Sequence, residues 1–446
     1  MKISLPENVK MLIQRLQGAG YPAYAVGGCV RDSLLGRQPH DWDLTTPALP
    51  DEIARVFSDC KLVEIGRQYG TIAVILDGEA YEITTHRIDG DYSDSRHPDG
   101  VRFSRSITDD LARRDFTVNA MAYNEEEGLI DPFDGQRDLS YGVIRCVGVP
   151  SERFAEDALR ILRALRFAST LGFSIEPNTS EAILSGRRML TQIAPERISC
   201  ELLRLLCGDK VDFVLRRYRT VFAVVIPELQ GTFDFEQNTP HHNRDVYRHT
   251  VAAVKNIEPD PLLRTVMLFH DIGKPMSRTV DRQGVSHYKN HPTLGAAMTE
   301  TILRRLCMPR VFVSEVCTLI RWHDLRLKPE APMIKHYLNQ LGVDAMRKLY
   351  KIRLADTLAQ SMYLRPEKLR NLEQVNREME RIIADGECYN LSMLSVNGSD
   401  LIHIGVGTGQ RIGEILNSLL QSVFTGELPN EKEPLLAAAR AMQSGI

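Results

Sequence analysis

The chain has 446 residues and a mass of 50.4 kDa, with 43% hydrophobic and 25% charged residues, so wholesale disorder is excluded and roughly 150 residues per domain gives about three domains. Net charge is −3, from 55 basic and 58 acidic residues, which argues against a broadly basic nucleic-acid coat and leaves room for a local basic groove. No apolar run approaches the ~18–20 residues that span a bilayer, no secretory signal opens the chain, and the eight cysteines form no CxxC pair, so neither a disulfide framework nor a zinc ribbon is expected and a cytoplasmic setting fits.

Residues 1–145 mix short β-type runs, Tyr24–Val26, Thr71–Leu76 and 81–84, with helical stretches punctuated by Gly, Asp and Pro. This predicts a small α+β head. Over 146–236 the strand signal disappears and Leu159, Leu162 and Leu165 recur at helical spacing, predicting a helical neck and body. Residues 237–244, with Pro240 and paired histidines, read as a linker. The segment 237–360 is helical again, and its part from 241 onward holds eight of the twelve histidines. A helical tail covers 361–446, charged to about 385 and then Gly-punctuated, with no internal repeat.

The densest chemical signal is Val26-Gly27-Gly28-Cys29-Val30-Arg31-Asp32 followed by Asp41-Trp42-Asp43-Leu44. A strand running through Gly27-Gly28 into a helix lets backbone N–H groups approach a phosphate, and Arg31 adds a planar fork for phosphate oxygens. On a strand, Asp41 and Asp43 project from one face about 6.5–7 Å apart. Two carboxylates so placed can share the divalent cations of in-line phosphoryl transfer. Glu82 faces the same metals or is a strand-edge residue. Further on, Leu111 to Ala120 carries Arg114 and Asp115, placed for phosphate and ribose or for an ordinary helix-start ion pair. Asp157, Arg160, Arg163 and Arg166 recur every three residues, which predicts one charged helix face. A carboxylate only accepts and a guanidinium only donates. Asp157 with Arg160 therefore suits cytosine and adenine, each presenting an amino donor beside a ring-nitrogen acceptor, and mismatches guanine and uracil at about 1–3 kcal/mol per lost partner.

The order Gly-Gly-x-Val-Arg-Asp, Asp-x-Asp, Arg-Arg-Asp-Phe-Thr-x-Asn-Ala and Glu-Asp-x-x-Arg resembles the class II tRNA nucleotidyltransferases, the CCA-adding enzymes, over about the first 230 residues. The resemblance implies a mixed-sheet head of the polymerase-β superfamily, Mg²⁺ held by Asp41 and Asp43, and a nucleotide site of Gly28, Arg31, Arg114, Asp115, Asp157, Arg160, Arg163 and Arg166. It implies CTP and ATP as substrates, added without a template to the acceptor end of tRNA. Asp89 to Gly100 is similar to the family's flexible loop, and Ala194 to Ser199 to its last head/neck motif. Bacterial poly(A) polymerases share most of these motifs. Ile65-Gly66-Arg67-Gln68-Tyr69-Gly70 is closer to the CCA-adding pattern, and a flexible loop disfavours CC-only addition while leaving A-only addition open. Over 160–219, eleven Lys/Arg against six Asp/Glu suggest an electrostatic track for the acceptor stem.

His249, His270-Asp271-Ile272-Gly273-Lys274, His291, His323 and Asp356 form a second constellation. Imidazoles and carboxylates suit a divalent transition metal, and adjacent His270-Asp271 on a helix both reach one ion. The order resembles the HD phosphohydrolase superfamily over about 115 residues. That resemblance implies His249, His270, Asp271 and Asp356 as primary ligands, His291 and His323 as a second ion site or phosphate contacts, and Lys274 as a phosphate partner; His287 has no counterpart. Its substrates would be cyclic or terminal phosphates on damaged tRNA ends. The domain alternatively holds RNA without turnover, and a non-catalytic RNA-binding scaffold is the remaining reading of the whole chain. In the tail, Gly398-Ser399-Asp400 and the run Gly405 to Gly413 either connect helices or approach RNA phosphates.

Overall fold

The computed structural model describes residues 2–64, 66–90 and 100–444 and separates into two compact units, 1–230 and 231–446. In the first, the strands are β1 (Tyr24–Val26), β2 (Leu44–Thr46), β3 (Lys61–Val63), β4 (Thr71–Leu76), β5 (Glu79–Thr85), β6 (Arg87–Asp89), β7 (Val101–Phe103), β8 (Ala122–Asn124), β9 (Gly128–Ile130) and the short pair β10 (Val143–Ile144) and β11 (Ser174–Ile175). Seven make one sheet in the order β3-β4-β5-β2-β1-β8-β9. Within it only β2 with β5 is parallel, and the other neighbours are antiparallel. β6 and β7 pair as a separate ribbon. Of the flexible loop expected from Asp89 to Gly100, residues 91–99 lie outside the described residues, as does Ile65.

The helices of this unit are α1 (Glu7–Gly18), α2 (Gly28–Leu34), α3 (Pro50–Val56), α4 (Ile107–Ala112), α5 (Gly135–Tyr141), α6 (Pro150–Glu156), α7 (Leu159–Leu171), α8 (Pro177–Gly186), α9 (Pro195–Leu206), α10 (Val211–Arg217) and α11 (Arg219–Val225). Tyr24 and Val26 of β1, Ala122 of β8 and Leu111 of α4 bury one another with Ala120 and Val147. This fixes the glycine turn after β1 against α4. Gly27, with φ 84°, caps α2, a conformation that L side chains avoid.

α7 differs from the expectation. The chain breaks at Asp157, which is extended (φ −144°, ψ 103°), so Asp157 does not share a helix with the three arginines. Its side chain instead accepts the Leu159 N–H at 3.0 Å, a local bond that stops one helix and starts the next. α7 is buried on nearly every side, including Leu159, Ile161, Leu162, Leu165 and Phe167. Its arginines therefore point into protein rather than forming a solvated face.

The second unit is helical: α12 (Val246–Asn256), α13 (Pro261–Phe269), α14 (Lys274–Ser277), α15 (His291–Arg305), α16 (Arg310–Trp322), α17 (Ala331–Leu341), α18 (Val343–Ala359), α19 (Arg365–Ala384), α20 (Gly398–His403), α21 (Gln410–Thr425) and α22 (Lys432–Ser444). The tail has its own apolar cluster, in which Leu401, Leu419, Leu420 and Leu435 are fully buried. Asn397 and Asp400 cap α20 reciprocally, and left-handed Gly405 and Gly409 lead from α20 to α21. The tail glycines are thus helix-connecting turns.

Gly273 carries a tighter constraint. A Cβ there would lie 2.4 Å from the His291 carbonyl oxygen and 2.7 Å from the Gly295 nitrogen. Both are backbone atoms and cannot rotate away, so the turn after α13 closes on the start of α15 only with glycine. Gly273→Ala is expected to destabilise the second unit by ~2 kcal/mol, read as a lower urea midpoint for that unit.

Candidate functional site

Two groups of chemically active side chains are assembled, one in each unit. In the first, Asp41 and Asp43 lie just before β2 rather than within it, and both are exposed. The Asp43 carbonyl already accepts the Val26 N–H at 2.9 Å, which ties the acidic pair to the strand leading into Gly27. Register does the rest. Leu44 is opposite Ile83 in the parallel pair, so Asp43 and Glu82 meet one residue earlier, on strands ~4.8 Å apart. The Asp43 pKa is raised: protein packed around its carboxylate is the main cause, Arg114 opposes it, and Glu82 and Asp41 add repulsion. Although the residue is open to solvent, three acidic groups crowd one edge, and a cation would relieve them.

Arg114 is the counterweight. Its Nη1 lies 2.7 Å from where a Gly27 Cβ would stand, so the glycine makes room for the guanidinium. Asp110, fully buried, draws in Arg113 at 2.7 Å and Arg114 at 3.4 Å. Arg114 Nε is buried without a hydrogen-bond partner.

The remaining nucleotide-site candidates form an alternating chain of charges. Arg31, buried, donates to Asn119 Oδ1 at 2.5 Å and to Asp32 at 2.8 and 2.9 Å. Asn119 donates in turn to Asp115 at 3.0 Å. Asp115 also accepts Arg163 Nε at 2.7 Å and the Phe116 N–H at 2.8 Å. Burial alone would raise the Asp115 pKa, yet Arg163 and Asn119 hold it at about 2. Arg166 donates to Glu201 at 2.6 Å. The guanidinium carbons of Arg31, Arg163 and Arg166 lie 5.0, 5.6 and 3.9 Å from the Phe167 ring centroid, within cation–π range. Asn119 stands in the Arg-Arg-Asp-Phe-Thr-x-Asn-Ala run, whereas neither Glu201 nor Phe167 stood out in the sequence; only their contacts in three dimensions mark them.

Asp157 and Arg160 are not joined to each other by their side chains. Asp157 accepts Arg197 Nη2 at 2.7 Å. Arg160 donates to Glu156 at 2.5 Å and to the carbonyls of Arg153 and Arg113, each at 3.1 Å. Four of the eleven cations expected to form an RNA track, Arg160, Arg163, Arg166 and Arg197, are thus engaged by carboxylates inside the unit. Arg188, Arg204, Lys210, Arg216 and Arg217 are the exposed ones.

In the second unit, His249 of α12, Asp356 of α18, His291 at the start of α15 and His323 at the end of α16 converge on His270-Asp271. The last two sit in the turn after α13, not in its helix. His270, His291 and His323 direct Nδ1 at the carbonyl three residues upstream, at 2.7, 2.7 and 2.6 Å. Those bonds place the Nδ1 proton outward and aim Nε2 at the centre. The Nε2 atoms of His249 and His270 are 3.4 Å apart, and those of His291 and His323 3.3 Å. Two bare lone pairs at that separation would repel, so a proton or a cation at each pair relieves them. Asp271 joins both groups: Oδ2 is 3.4 Å from His249 and 3.2 Å from His270, while Oδ1 is 3.4 Å from His291 and 3.8 Å from His323. His249, His270 and Asp271, and separately Asp271, His291 and His323, bring their ligand atoms within 4.8 Å of one another. Asp356 completes the first group, 2.9 Å from His249. Despite burial, His270, Lys274 and His291 keep Asp271, and His249 and His270 keep Asp356, well below the usual carboxylate range. Burial would lower His270, but the two carboxylates raise it to about 10. Lys274 Nζ is 2.7 Å from Asp271 and 2.8 Å from Gln237. His287 pairs with Asp281 at 2.8 Å, outside the cluster. His242, which no motif marked, stacks edge-on against His249 at 4.7 Å.

One buried histidine in the first unit gives a pH signature. His86 is 1% exposed and neither ring nitrogen has a hydrogen-bond partner. Desolvation lowers its pKa to about 4, against the pull of Asp110. The unfolded chain therefore takes up a proton first, and stability is full above pH ~6.5 and falls as pH drops toward 4. The loss is on the order of 3 kcal/mol. His86→Phe is expected to flatten this slope between pH 6.5 and 4 in denaturant titrations.

Comparisons with known proteins span both units. Residues 23–145 match the poly A polymerase head domain, 172–231 match a probable RNA and SrmB-binding site of polymerase A, and 293–439 match a putative domain 2 of tRNA nucleotidyltransferases. A CCA-adding enzyme of Levilactobacillus brevis is 34% identical over 439 residues, 97% of this chain and 98% of that protein. One from Geobacillus stearothermophilus is 34% identical over 428 residues, 96% and 94% of the two chains. The crystal structure of the Bacillus stearothermophilus CCA-adding enzyme with CTP superposes with a TM-score of 0.70 at 29% identity, covering 99% and 98%. A Thermotoga maritima CCA-adding enzyme in complex with tRNA shares the fold at a TM-score of 0.63 and 22% identity, over 100% of both chains. Nucleotidyl transfer on such a head implies a divalent metal. Among the described residues, no helix is long and apolar enough to cross a membrane.

Proposed function

Since the chain belongs to the CCA-adding enzymes, we propose that its first unit adds C, C and A to the tRNA 3′ end from CTP and ATP at the edge where Asp41, Asp43 and Glu82 meet. The observation that carries this placement is the β2–β5 register, which brings Asp43 and Glu82 together beside the Gly27 turn. The 3′ hydroxyl of tRNA attacks the α-phosphorus, the bond to the β-phosphate oxygen breaks, and pyrophosphate leaves. Mg²⁺ bound by Asp41 and Asp43 would supply positive charge opposite the charge developing on the departing oxygens.

The chain's own residues do the positioning. The Gly27-Gly28 turn leaves its backbone open to a phosphate. Arg114, already short of a partner at Nε, meets the triphosphate, and Arg31, Arg163 and Arg166 present a cationic wall around it. Asp115 orients Arg163 rather than reaching the ribose by itself, because both its oxygens are engaged within the protein. Asp157, held by Arg197, accepts the amino group of cytosine or adenine. Arg160 exchanges its Glu156 contact for the neighbouring ring nitrogen. The test is tRNA lacking its 3′ end, with each NTP alone and combined. Addition should stop after three nucleotides, and Asp41→Ala should lower the rate at least 10³-fold while leaving the fold intact. A long A tail, or A addition only, would overturn the reading.

The second unit favours a phosphohydrolase, on the observation that Asp271 divides its oxygens between two histidine pairs. The donor set of four imidazoles and two carboxylates fits two divalent transition-metal ions. Ions held there would activate water against a phosphate ester. Lys274 lies where it can neutralise phosphate charge, and the Nδ1 bonds to backbone hold the imidazoles aimed inward. His270→Ala or Asp271→Ala is expected to abolish phosphodiesterase activity assayed with Mn²⁺, Ni²⁺ or Co²⁺ and to leave CCA addition within about twofold of wild type.

A further inference from the structure

The ring of Phe167 collects positive charge from two helices. It is 4% exposed and stands on α7, directly after Arg166 and one turn after Arg163. The guanidinium of Arg166 lies 3.9 Å from the ring centroid, that of Arg31 from α2 5.0 Å and that of Arg163 5.6 Å. Cation–π attraction extends to ~6 Å, so all three fall within it. Phe116 meets the ring edge to face, with centroids 5.8 Å apart and planes at 82°, which holds the ring in one orientation. Apolar filling alone does not draw three cations to one side chain, since desolvating each guanidinium is costly.

The cations resist this gathering. Arg31 and Arg166 are mostly buried, and the Arg163 side chain is 34% exposed. Burial lowers the Arg166 pKa and Arg163 lowers it further, against Glu201. Carboxylates hold the group piecewise. Asp32 takes Arg31 at 2.8 Å, Asp115 takes Arg163 at 2.6 Å, and Glu201 takes Arg166 at 2.6 Å and reaches Arg163 at 3.8 Å. Asn119 relays Arg31 to Asp115. Each of these groups touches one or two of the arginines, whereas Phe167 lies against all three. The chemistry of the shared group matters. A further carboxylate there would gather the same arginines and cancel their charge. An aromatic face attracts cations through its quadrupole and carries no net charge, so the positive potential stays available to a ligand.

We propose that Phe167 is a positioning residue for nucleotide binding, its ring face holding Arg31, Arg163 and Arg166 in one array whose charge grips the triphosphate of CTP or ATP. The proposal deepens the reading of the first unit as a nucleotidyltransferase and rests on it for the identity of the anion.

The test replaces Phe167 in the full chain by 4-fluoro-, 3,5-difluoro- and 3,4,5-trifluorophenylalanine. These rings keep the shape and apolar character of Phe, so the fold is preserved, while the negative charge of the face is drained stepwise. CTP affinity with Mg²⁺ is read by calorimetry, and KM for CTP and kcat on tRNA lacking its 3′ end. Affinity is expected to fall with each added fluorine, to at least fivefold weaker for the trifluoro ring, with KM rising in step and kcat within twofold of wild type. Arg163→Gln, which removes one member of the array, is expected to weaken CTP about tenfold. Affinity that stays flat across the fluorinated series while Arg163→Gln weakens CTP refutes the part given to the ring and leaves the nucleotide site standing. If Arg163→Gln leaves CTP affinity unchanged, the array does not face the nucleotide and the proposal falls with it. A kcat that falls more than KM rises also overturns it. A fluorine response in CTP binding without any addition to tRNA sinks the transferase reading and keeps the role of Phe167.

Discussion

Repulsion among carboxylates, tolerated because a cation is built into the turn beside them, is the constraint on which the first unit depends. Parallel pairing of β2 with β5 sets Asp43 against Glu82, and Asp41 adds a third charge. Arg114 reaches them only because Gly27 has no side chain to block it. Asp110 is fully buried and is anchored to both Arg113 and Arg114, so Arg114 is held rather than mobile. A site strained in this way is poised for added positive charge, which is what nucleotidyl transfer to tRNA requires.

The second unit gathers imidazoles around its carboxylates. Four imidazoles are turned inward, three of them by carbonyl bonds at 2.6–2.7 Å. Two carboxylates balance them, and the single residue Asp271 is shared by both histidine pairs. Gly273 lets the turn bearing Asp271 close against the backbone of α15. The glycine of the His-Asp-x-Gly-Lys run therefore has a packing reason as well as a place in a motif.

The arginines show how far linear spacing can mislead. A recurrence every three residues placed Asp157, Arg160, Arg163 and Arg166 on one helix face, but the chain breaks at Asp157 and buries α7 on almost all sides. Each arginine then finds an acidic partner from elsewhere: Glu156 for Arg160, Asp115 for Arg163, Glu201 for Arg166. Four of the eleven cations expected to face RNA thus serve internal charge balance, and the exposed ones lie beyond α7.

The motifs themselves were legible from residue order alone. A glycine turn ahead of an acidic pair, and a His/Asp series with fixed neighbours, are local patterns whose chemistry follows from residue type and short spacing, and the α+β head followed by helices follows from periodicity. Tertiary structure decided which groups meet. Glu82 joins Asp43 through strand register, Phe167 gathers three guanidiniums, and Asp271 splits between two histidine pairs. These contacts join residues far apart in the chain, and their geometry depends on packing and pairing that no local spacing encodes.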